Sequence, residues 1–123
     1  YGAFTPVQVA GTAALNGPQE CVNVMRKTYK DRRDLLIKSF KRIGWDIPAP
    51  EASMFVWAPI PSKFKNYGSM KFSKDLMINA DVAVAPGLAF GKNGEGFVRI
   101  GLVENKYRIR QAAKNINNYF KKK

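Results

Sequence analysis

Arg99 is the residue whose setting points most directly to chemistry. It lies in the middle of an apolar run, FVRIGLV, at residues 97–103. Side chains alternate between the two faces of a strand, so Arg99 would lie opposite Ile100 and Leu102 and on the same face as Gly101. A guanidinium is too costly to bury unpaired, and its planar fork matches a carboxylate through two parallel hydrogen bonds. Arg99 is therefore a candidate for ligand binding; the alternative is an edge-strand arginine in solvent or in a structural ion pair.

A glycine-rich stretch, PGLAFGKNGEG at residues 86–96, comes just before this run. A phosphate-binding loop of the Walker A type needs four residues between its glycines and a Ser or Thr after its lysine. Here Gly87 and Gly91 are one residue too close, and Lys92 is followed by Asn93. We therefore expect a flexible loop between two strands, with glycines that serve turns and a close backbone approach.

Other enzymatic constellations are missing from the sequence. The chain has no His and one Cys, which excludes a serine-type triad and a zinc site. The acids show no pairing that suggests acid–base catalysis, and most are expected to be surface charges: Asp31, Asp34, Asp46, Glu51 and Glu95. The tryptophans and phenylalanines are expected in the core, among them Trp45 and Trp57. A self-sufficient enzyme is not expected.

The chain carries a formal net charge of +12. A basic chain of this size could bind nucleic acid or an anionic membrane surface. The charges are nevertheless spread along the chain, with one tight run at residues 121–123, and neither a zinc-finger spacing nor an RRM signature accompanies them. We expect neither specific nucleic acid nor membrane as a partner, and nucleic-acid binding stays as the alternative.

Length and cysteine content bound the setting of the protein. A chain of 123 residues suits one domain with a single core. Cys21 has no partner for an internal disulfide, and no apolar run approaches the roughly 20 residues that cross a bilayer. We expect a cytoplasmic protein. Because the first residue is Tyr1 rather than Met, we also expect the chain to belong to a longer parent protein.

Two helices are predicted in the first third of the chain. Thr5 is expected to be the N-cap of the first, with Pro6 and Gln8 in its first turn. The segment Asn16-Gly17-Pro18 should end this helix and start a second one, which is predicted to run from position 18 to about position 43. The second helix has an apolar stripe formed by Val22, Met25, Tyr29, Leu36, Phe40 and Ile43.

The rest of the chain alternates predicted strands and helices. Strands are predicted at residues 53–58, 82–84 and 97–103, and the last two should be antiparallel neighbours. Ser69 is expected to cap a short helix with Phe72, Leu76 and Met77 inward, and residues 104–120 should form a closing helix. The predicted fold class is α+β: a three-stranded, mainly antiparallel sheet packed against helices and preceded by a long helix. Arg99 should lie on its open face.

Several segments resemble one enzyme family. VAPGLAFG at residues 84–91 and GEGFVRI at residues 94–100 resemble the C-terminal signature of class I/II, fold-type I aminotransferases, which depend on pyridoxal phosphate. Residues 1–10, 51–58 and 104–112 are most similar to bacterial glutamate–pyruvate (alanine-forming) aminotransferases. LL-diaminopimelate and aspartate aminotransferases are more distant relatives. The resemblance covers essentially the whole chain, with its segments in the family's order.

The resemblance implies a parent enzyme of α/β fold-type I, a homodimer of amino-acid biosynthesis. It would transfer an amino group between an amino acid, alanine or glutamate, and a 2-oxo acid, pyruvate or 2-oxoglutarate. Residues 1–123 would be its C-terminal small domain. Arg99 matches the position that binds the substrate α-carboxylate, and the region of Thr5 matches a segment that reaches the active site of the neighbouring subunit.

The chain departs from the family in lacking the lysine that holds the cofactor. The resemblance places that lysine in a large domain before Tyr1; Lys63 and Lys74 each follow a serine but lack the family's subsequent context. We therefore expect no catalytic residue, no certain cofactor-binding residue and no metal ligand in this chain, and an inactive isolated domain. The alternatives are an aminotransferase of aspartate or LL-diaminopimelate type, or a non-catalytic basic fragment that binds nucleic acid.

Overall fold

The computed structural model describes residues 2–123, and Tyr1 lies outside the described part. The fold is α+β, as predicted, and these described residues form four α-helices and one sheet. The helices are α1 (Thr5–Asn16), α2 (Glu20–Arg42), α3 (Gly68–Ala80) and α4 (Lys106–Lys121). The strands are β1 (Phe55–Pro59), β2 (Ala85–Pro86) and β3 (Phe97–Gly101). Short 3-10 turns occupy Ser62–Tyr67, Gly87–Phe90 and Lys92–Gly94.

The three strands form an antiparallel sheet in the order β1-β3-β2. β3 is central, so Arg99 pairs with Trp57 on one side and with Ala85 on the other. This confirms that the last two strands are antiparallel neighbours. The prediction of a strand at residues 82–84 is wrong, because the chain leaves α3 through the left-handed residue Asp81 and reaches β3 only at Ala85. Val82 meanwhile donates a backbone hydrogen bond to Leu76.

One face of the sheet forms the core with α2, α3 and α4. Val56, Ala58, Val98 and Ile100 are its buried strand residues. They pack in one cluster with the buried residues of the helices and with a group of aromatic rings: Phe40, Trp45, Phe64, Phe72 and Tyr119. The opposite face of the sheet is open, and it is the face that carries Arg99.

The long helix before the sheet is confirmed, but only the second half of its apolar stripe is buried. α2 ends at Arg42, followed by Gly44 with a φ of 81°. Leu36 and Phe40 are buried, whereas Val22 and Met25 in the first half are exposed. α1 buries none of its residues. Within residues 2–123, no helix combines the length and the apolar character needed to cross a bilayer.

Two predicted helix starts are wrong in detail. Thr5 is the first residue of α1 rather than its N-cap, which is Phe4, and no side chain caps this end. Gln8 instead donates from its side chain to the carbonyl of Ala3. Ser69 lies inside the first turn of α3, and its backbone N–H is bound by the carboxylate of Glu95 rather than by a local cap.

The inward face of α3 also differs by one residue from the prediction. Phe72, Leu76 and Ala80 are buried, at steps of four residues that keep them on one side of the helix. Met77 is 55% exposed. The prediction that Met77 points inward is wrong.

Candidate functional site

Arg99 lies on the open face of the sheet. Burial alternates along β3, with Val98 and Ile100 buried and Arg99 half-buried between them. Leu102 is also buried, so Arg99 lies opposite Ile100 and Leu102 as the alternation of a strand predicts.

Two aromatic rings flank the guanidinium of Arg99. Its Cζ lies 4.2 Å from the ring centroid of Phe55 and 4.4 Å from that of Phe90. Both distances are well within the range of a cation–π interaction. Among residues 2–123, the ion pairs are Lys30–Asp34, Arg33–Asp34 and Lys106–Asp31, and Arg99 takes part in none of them. The rings hold the group without neutralising its charge, which leaves its donors for an external anion.

Further aromatic side chains extend the same face. Trp57, which pairs with Arg99 across the strands, stacks on Phe97 at 5.7 Å and meets the ring of Phe90 edge-on, also at 5.7 Å. Trp57 is 37% exposed and Phe90 is 49% exposed, so the expectation that these rings lie in the core is wrong. Trp57 faces outward because Val56 and Ala58 on either side of it take the core-facing positions of β1.

The glycine-rich segment is a compact loop whose ends touch. A Cβ on Gly87 would lie 1.9 Å from the carbonyl oxygen of Gly94, and one on Gly94 would lie 2.1 Å from that of Gly87. The predicted close backbone approach is confirmed. The loop is not irregular, since two 3-10 turns, Gly87–Phe90 and Lys92–Gly94, build it. Phe90 is the last residue of the first turn, and its ring contacts Arg99.

Glu95 has a structural role that the sequence analysis did not predict. Its carboxylate accepts hydrogen bonds from the backbone N–H of Ser69 (2.6 Å), the hydroxyl of Ser69 (3.0 Å) and the N–H of Gly96 (2.9 Å). These hydrogen bonds lower the pKa of Glu95 below its ordinary value, and the bond from Gly96 has the largest effect. Sequence reasoning missed this acid because Ser69 is 26 residues away. A carboxylate between two glycines in a turn is the one local sign of it.

The other residues that the sequence singled out lie apart from Arg99. Thr5 is at the exposed start of α1, and no hydrogen bond or ion pair links it to Arg99. Lys63 is exposed and donates to the carbonyl of Phe120, and Lys74 is exposed on α3. Cys21 is a free, exposed thiol. Residues 2–123 contain no group of three or more His, Cys, Asp or Glu side chains that could hold a metal ion.

Comparison with known proteins gives a consistent family. The family model for aminotransferase class I and II matches residues 1–116. The chain is 55% identical to the AatC protein of Rhizobium meliloti over 119 residues, which is 97% of this chain. It is 48% identical to the glutamate-pyruvate aminotransferase AlaC of Escherichia coli over 98% of its length. It is 40% identical to an LL-diaminopimelate aminotransferase of Moorella thermoacetica over 94%. The chain spans 29% of the length of each of these three proteins.

The fold is similar to that of a solved bacterial protein. The substrate-bound structure of BacF from Bacillus subtilis superposes with a TM-score of 0.86 at 34% sequence identity. The superposition covers 96% of this chain and 30% of that one.

Proposed function

The chain belongs to the class I and II aminotransferase family, and on that premise we propose that it is the C-terminal small domain of such an enzyme. Arg99 binds the α-carboxylate of the amino-acid and 2-oxo-acid substrates. The observation that carries this proposal is the guanidinium of Arg99, half-buried on the open sheet face beside Phe55 and Phe90 and, among residues 2–123, without an acidic partner.

The arrangement around Arg99 suits a carboxylate. A guanidinium offers two parallel N–H donors to the two oxygens, and this pairing fixes the plane and direction of the bound group. The rings of Phe55 and Phe90 contact the guanidinium through their faces and offer it no hydrogen-bond acceptor, so its N–H donors stay available for a ligand. Arg99 therefore binds and orients the substrate through the one group that all amino acids share.

The same face does not fit the cofactor. Pyridoxal phosphate, which the family implies, supplies the electron sink for amino-group transfer when it is bound. Strand residues that share the face of Arg99 include neither a lysine nor an acid: Phe55, Trp57, Pro59, Ala85, Phe97 and Gly101. We therefore assign cofactor binding and the chemical step to a large domain outside this chain.

Exposed apolar surface supports a partner domain. α1 buries no residue and exposes four large apolar side chains with its N-cap included, namely Phe4, Val7, Val9 and Leu15. A groove of about 830 Å³ lies between the first half of α2 and the chain before β1, and Val22, Met25, Tyr29 and Met54 are among its lining residues. Such surface is typical of an interface. The large domain covers this side in the complete enzyme, and Thr5 at the tip of α1 contacts the second subunit of a homodimer.

The substrate pair that we propose is alanine or glutamate with pyruvate or 2-oxoglutarate, in a cytoplasmic enzyme of amino-acid biosynthesis. The 48% identity to a glutamate-pyruvate aminotransferase supports this choice. The 40% identity to an LL-diaminopimelate aminotransferase supports that specificity as the alternative, together with an aspartate type. Arg99 does not decide between them, because it meets only the shared α-carboxylate.

The test of Arg99 uses the complete enzyme and the change Arg99→Lys. Loss of one bidentate, charge-assisted interaction should lower kcat/KM by about 30- to 1000-fold, corresponding to about 2–4 kcal/mol. Because the α-carboxylate is common, steady-state kinetics with alanine, glutamate, aspartate and diaminopimelate should show a comparable loss for every substrate that the enzyme accepts. Cofactor content should not change.

Arg108→Lys is the matched control, since Arg108 is an exposed arginine on α4 that contacts Gln111. Its kinetics should stay close to those of the unmodified enzyme. A strong loss for one substrate with the others spared would mean that Arg99 reads the side chain, and the proposed role would be wrong.

The domain assignment is tested on the 123-residue chain itself. Mixed with stoichiometric pyridoxal phosphate, it should show neither the visible absorption of a lysine-bound cofactor nor transaminase turnover, because the open face of the sheet carries no lysine. Borohydride reduction followed by mass spectrometry checks this. A stable cofactor adduct on one lysine of the chain would contradict the assignment.

A further inference from the structure

We propose that Glu95 is a positioning residue that ties the glycine loop to α3 and thereby holds the Phe90 ring against the guanidinium of Arg99. The contacts that define this latch stand on their own. Its effect on substrate binding rests on the proposed role of Arg99.

The latch begins at the first turn of α3. Both carboxylate oxygens of Glu95 accept hydrogen bonds from Ser69 in this turn: Oε1 from its backbone N–H and Oε2 from its hydroxyl. Oε1 also accepts from the backbone N–H of Gly96. Ser69 is fully buried, so its position is fixed by the core. Because Glu95 follows the second turn of the loop, these bonds anchor the end of the loop to a rigid helix.

A second bond anchors the start of the loop to the same serine. The Ser69 hydroxyl donates to Glu95 and accepts a hydrogen bond of 3.2 Å from the backbone N–H of Leu88. Leu88 lies in the turn Gly87–Phe90, two residues before the ring that meets Arg99. One buried side chain thus connects both ends of the loop, and the Gly87–Gly94 contact brings those ends together.

The two rings beside Arg99 are held in different ways. Phe55 belongs to β1, where its partner across the strands is Gly101, so the sheet itself fixes its backbone. Phe90 belongs to the loop and has no strand ladder to fix it. Its place over the guanidinium, 4.4 Å from Cζ, depends on the latch. A guanidinium held between two rings loses less conformational freedom when a carboxylate binds.

The kinetic test compares Glu95→Gln and Phe90→Leu in the complete enzyme. The amide of Gln keeps one acceptor oxygen but replaces the other by a donor, so the Ser69 hydroxyl loses its acceptor and the bonds from the two backbone N–H groups lose the carboxylate charge. Loss of one cation–π contact should raise KM for every amino-acid substrate by about 3- to 10-fold and leave kcat within about twofold. The double variant should be no worse than Phe90→Leu alone, because both changes remove the same contact.

The control is Asp34→Asn, which changes the net charge by the same amount at a carboxylate on α2 that pairs with Lys30 and Arg33. It should leave KM unchanged. If Glu95→Gln prevents folding, Ser69→Ala is the second variant. It removes the link to Leu88 and leaves Glu95 its bonds to two backbone N–H groups.

A second measurement is independent of activity. Phenylglyoxal modifies accessible guanidinium groups, and peptide mass spectrometry can follow the modification of Arg99 alone. Without substrate, Glu95→Gln and Phe90→Leu should each speed the modification of Arg99 by about threefold or more, because one of its shielding rings is lost. Asp34→Asn should not.

The outcomes separate the latch from the proposed function. If Arg99→Lys leaves KM unchanged while Glu95→Gln speeds modification of Arg99, the latch stands and the substrate role of Arg99 fails. If Arg99→Lys weakens all substrates while Glu95→Gln changes neither KM nor the modification rate, the latch is overturned. It is overturned as well if Glu95→Gln lowers only the melting temperature.

Discussion

At the scale of single residues, Trp45 joins the end of α2 to the first strand. Its side chain is 1% exposed, and its indole N–H donates a hydrogen bond of 2.8 Å to the carbonyl of Pro59. The ring stacks on Phe40 at 5.2 Å and meets Phe72 edge-on at 5.5 Å. Trp45 therefore stabilises the fold in two ways. Its ring packs in the core, and its N–H donates to the carbonyl at the end of β1.

Trp45→Phe should reduce the free energy of unfolding by about 2–4 kcal/mol, because it leaves a small cavity in the core and an unpaired, part-buried carbonyl at Pro59. Chemical denaturation measures the loss. Trp57→Phe is the matched control: the same atoms are removed from the open face, where solvent fills the space, and the loss should stay below about 1 kcal/mol. Equal losses in the two variants would contradict this account.

The carboxylate of Glu95 makes stability depend on pH. Hydrogen bonds from Gly96 and Ser69 hold the pKa of Glu95 below its ordinary value of 4.5, so the folded state binds this proton less readily than the unfolded state. Its stabilising contribution is present above pH 4.5 and is lost as the pH falls through the lowered pKa. Glu95→Gln should flatten the acid limb of the stability curve. Denaturation at a series of pH values checks this, and parallel curves for the two proteins would count against it.

Sequence reasoning predicted the sheet face on which Arg99 lies and missed the residues that surround it, for a physical reason. The face of Arg99 follows from strand alternation, which needs only its immediate neighbours in the sequence. Phe90 reaches Arg99 through a loop closed by Gly87, and Glu95 acts on Ser69 across the fold. Contacts of this kind are set by tertiary structure and leave no periodic pattern in the sequence.

At the scale of elements, the glycine loop depends on the absence of two side chains. Gly87 and Gly94 bring their backbones so close that a Cβ on either would overlap the carbonyl of the other. The carbonyl of Phe97 would also lie 2.6 Å from a Cβ on Gly87. These obstacles are backbone atoms next to β3, so they cannot turn aside as a flexible side chain would.

Gly87→Ala should therefore destabilise the protein by about 1–3 kcal/mol through overpacking, and it should open the loop that carries Phe90. Thermal unfolding measures the effect. Gly11→Ala is the control, since a Cβ there meets nothing within 4 Å and Gly11 lies inside α1, where Ala is the better helix former. Gly11→Ala should be neutral or slightly stabilising. A tolerated Gly87→Ala would show that the loop can close in another way.

The elements themselves could largely be predicted, because helical and strand periodicities are local. α2 ends within two residues of its predicted end, β3 falls inside its predicted range, and β1 extends one residue past its predicted end at Ala58. The errors in element position occur where residues that are distant in the sequence determine where an element begins or ends. The strand expected at residues 82–84 moved to Ala85–Pro86 because pairing with β3 sets its position. The N-terminus of α3 is bound by Glu95 rather than by a neighbouring side chain.

At the scale of the whole molecule, the net charge of +12 comes from basic residues that are spread along the sequence. Part of it serves the fold: the Arg32 guanidinium donates to the carbonyls of Leu102 and Val103, and that of Arg33 donates to the carbonyl of Pro50. A charge that bonds to its own backbone is less available to phosphate groups. The distribution therefore favours a general electrostatic attraction over a specific nucleic-acid site.

The isolated chain should accordingly bind generic duplex DNA weakly, with a steep dependence on salt. Fluorescence anisotropy with a labelled duplex should detect binding at about 20 mM salt and none at about 150 mM, where surface charges are screened over roughly 8 Å. Scrambling the duplex sequence should make no difference. Tight, sequence-dependent binding at the higher salt concentration would instead favour the nucleic-acid alternative.

The order of the strands in the sheet has a consequence for folding. β3 is the central strand, yet it follows both of its neighbours in the chain, so neither ladder can form before residues 97–101 arrive. Phe55 must wait for Gly101, and this distant pairing makes sheet formation slow relative to the helices. During synthesis β1 stays an unpaired edge, with Val56 and Ala58 still uncovered. A chain interrupted before β3 would keep helical segments without a sheet, and it would be prone to aggregate through that edge.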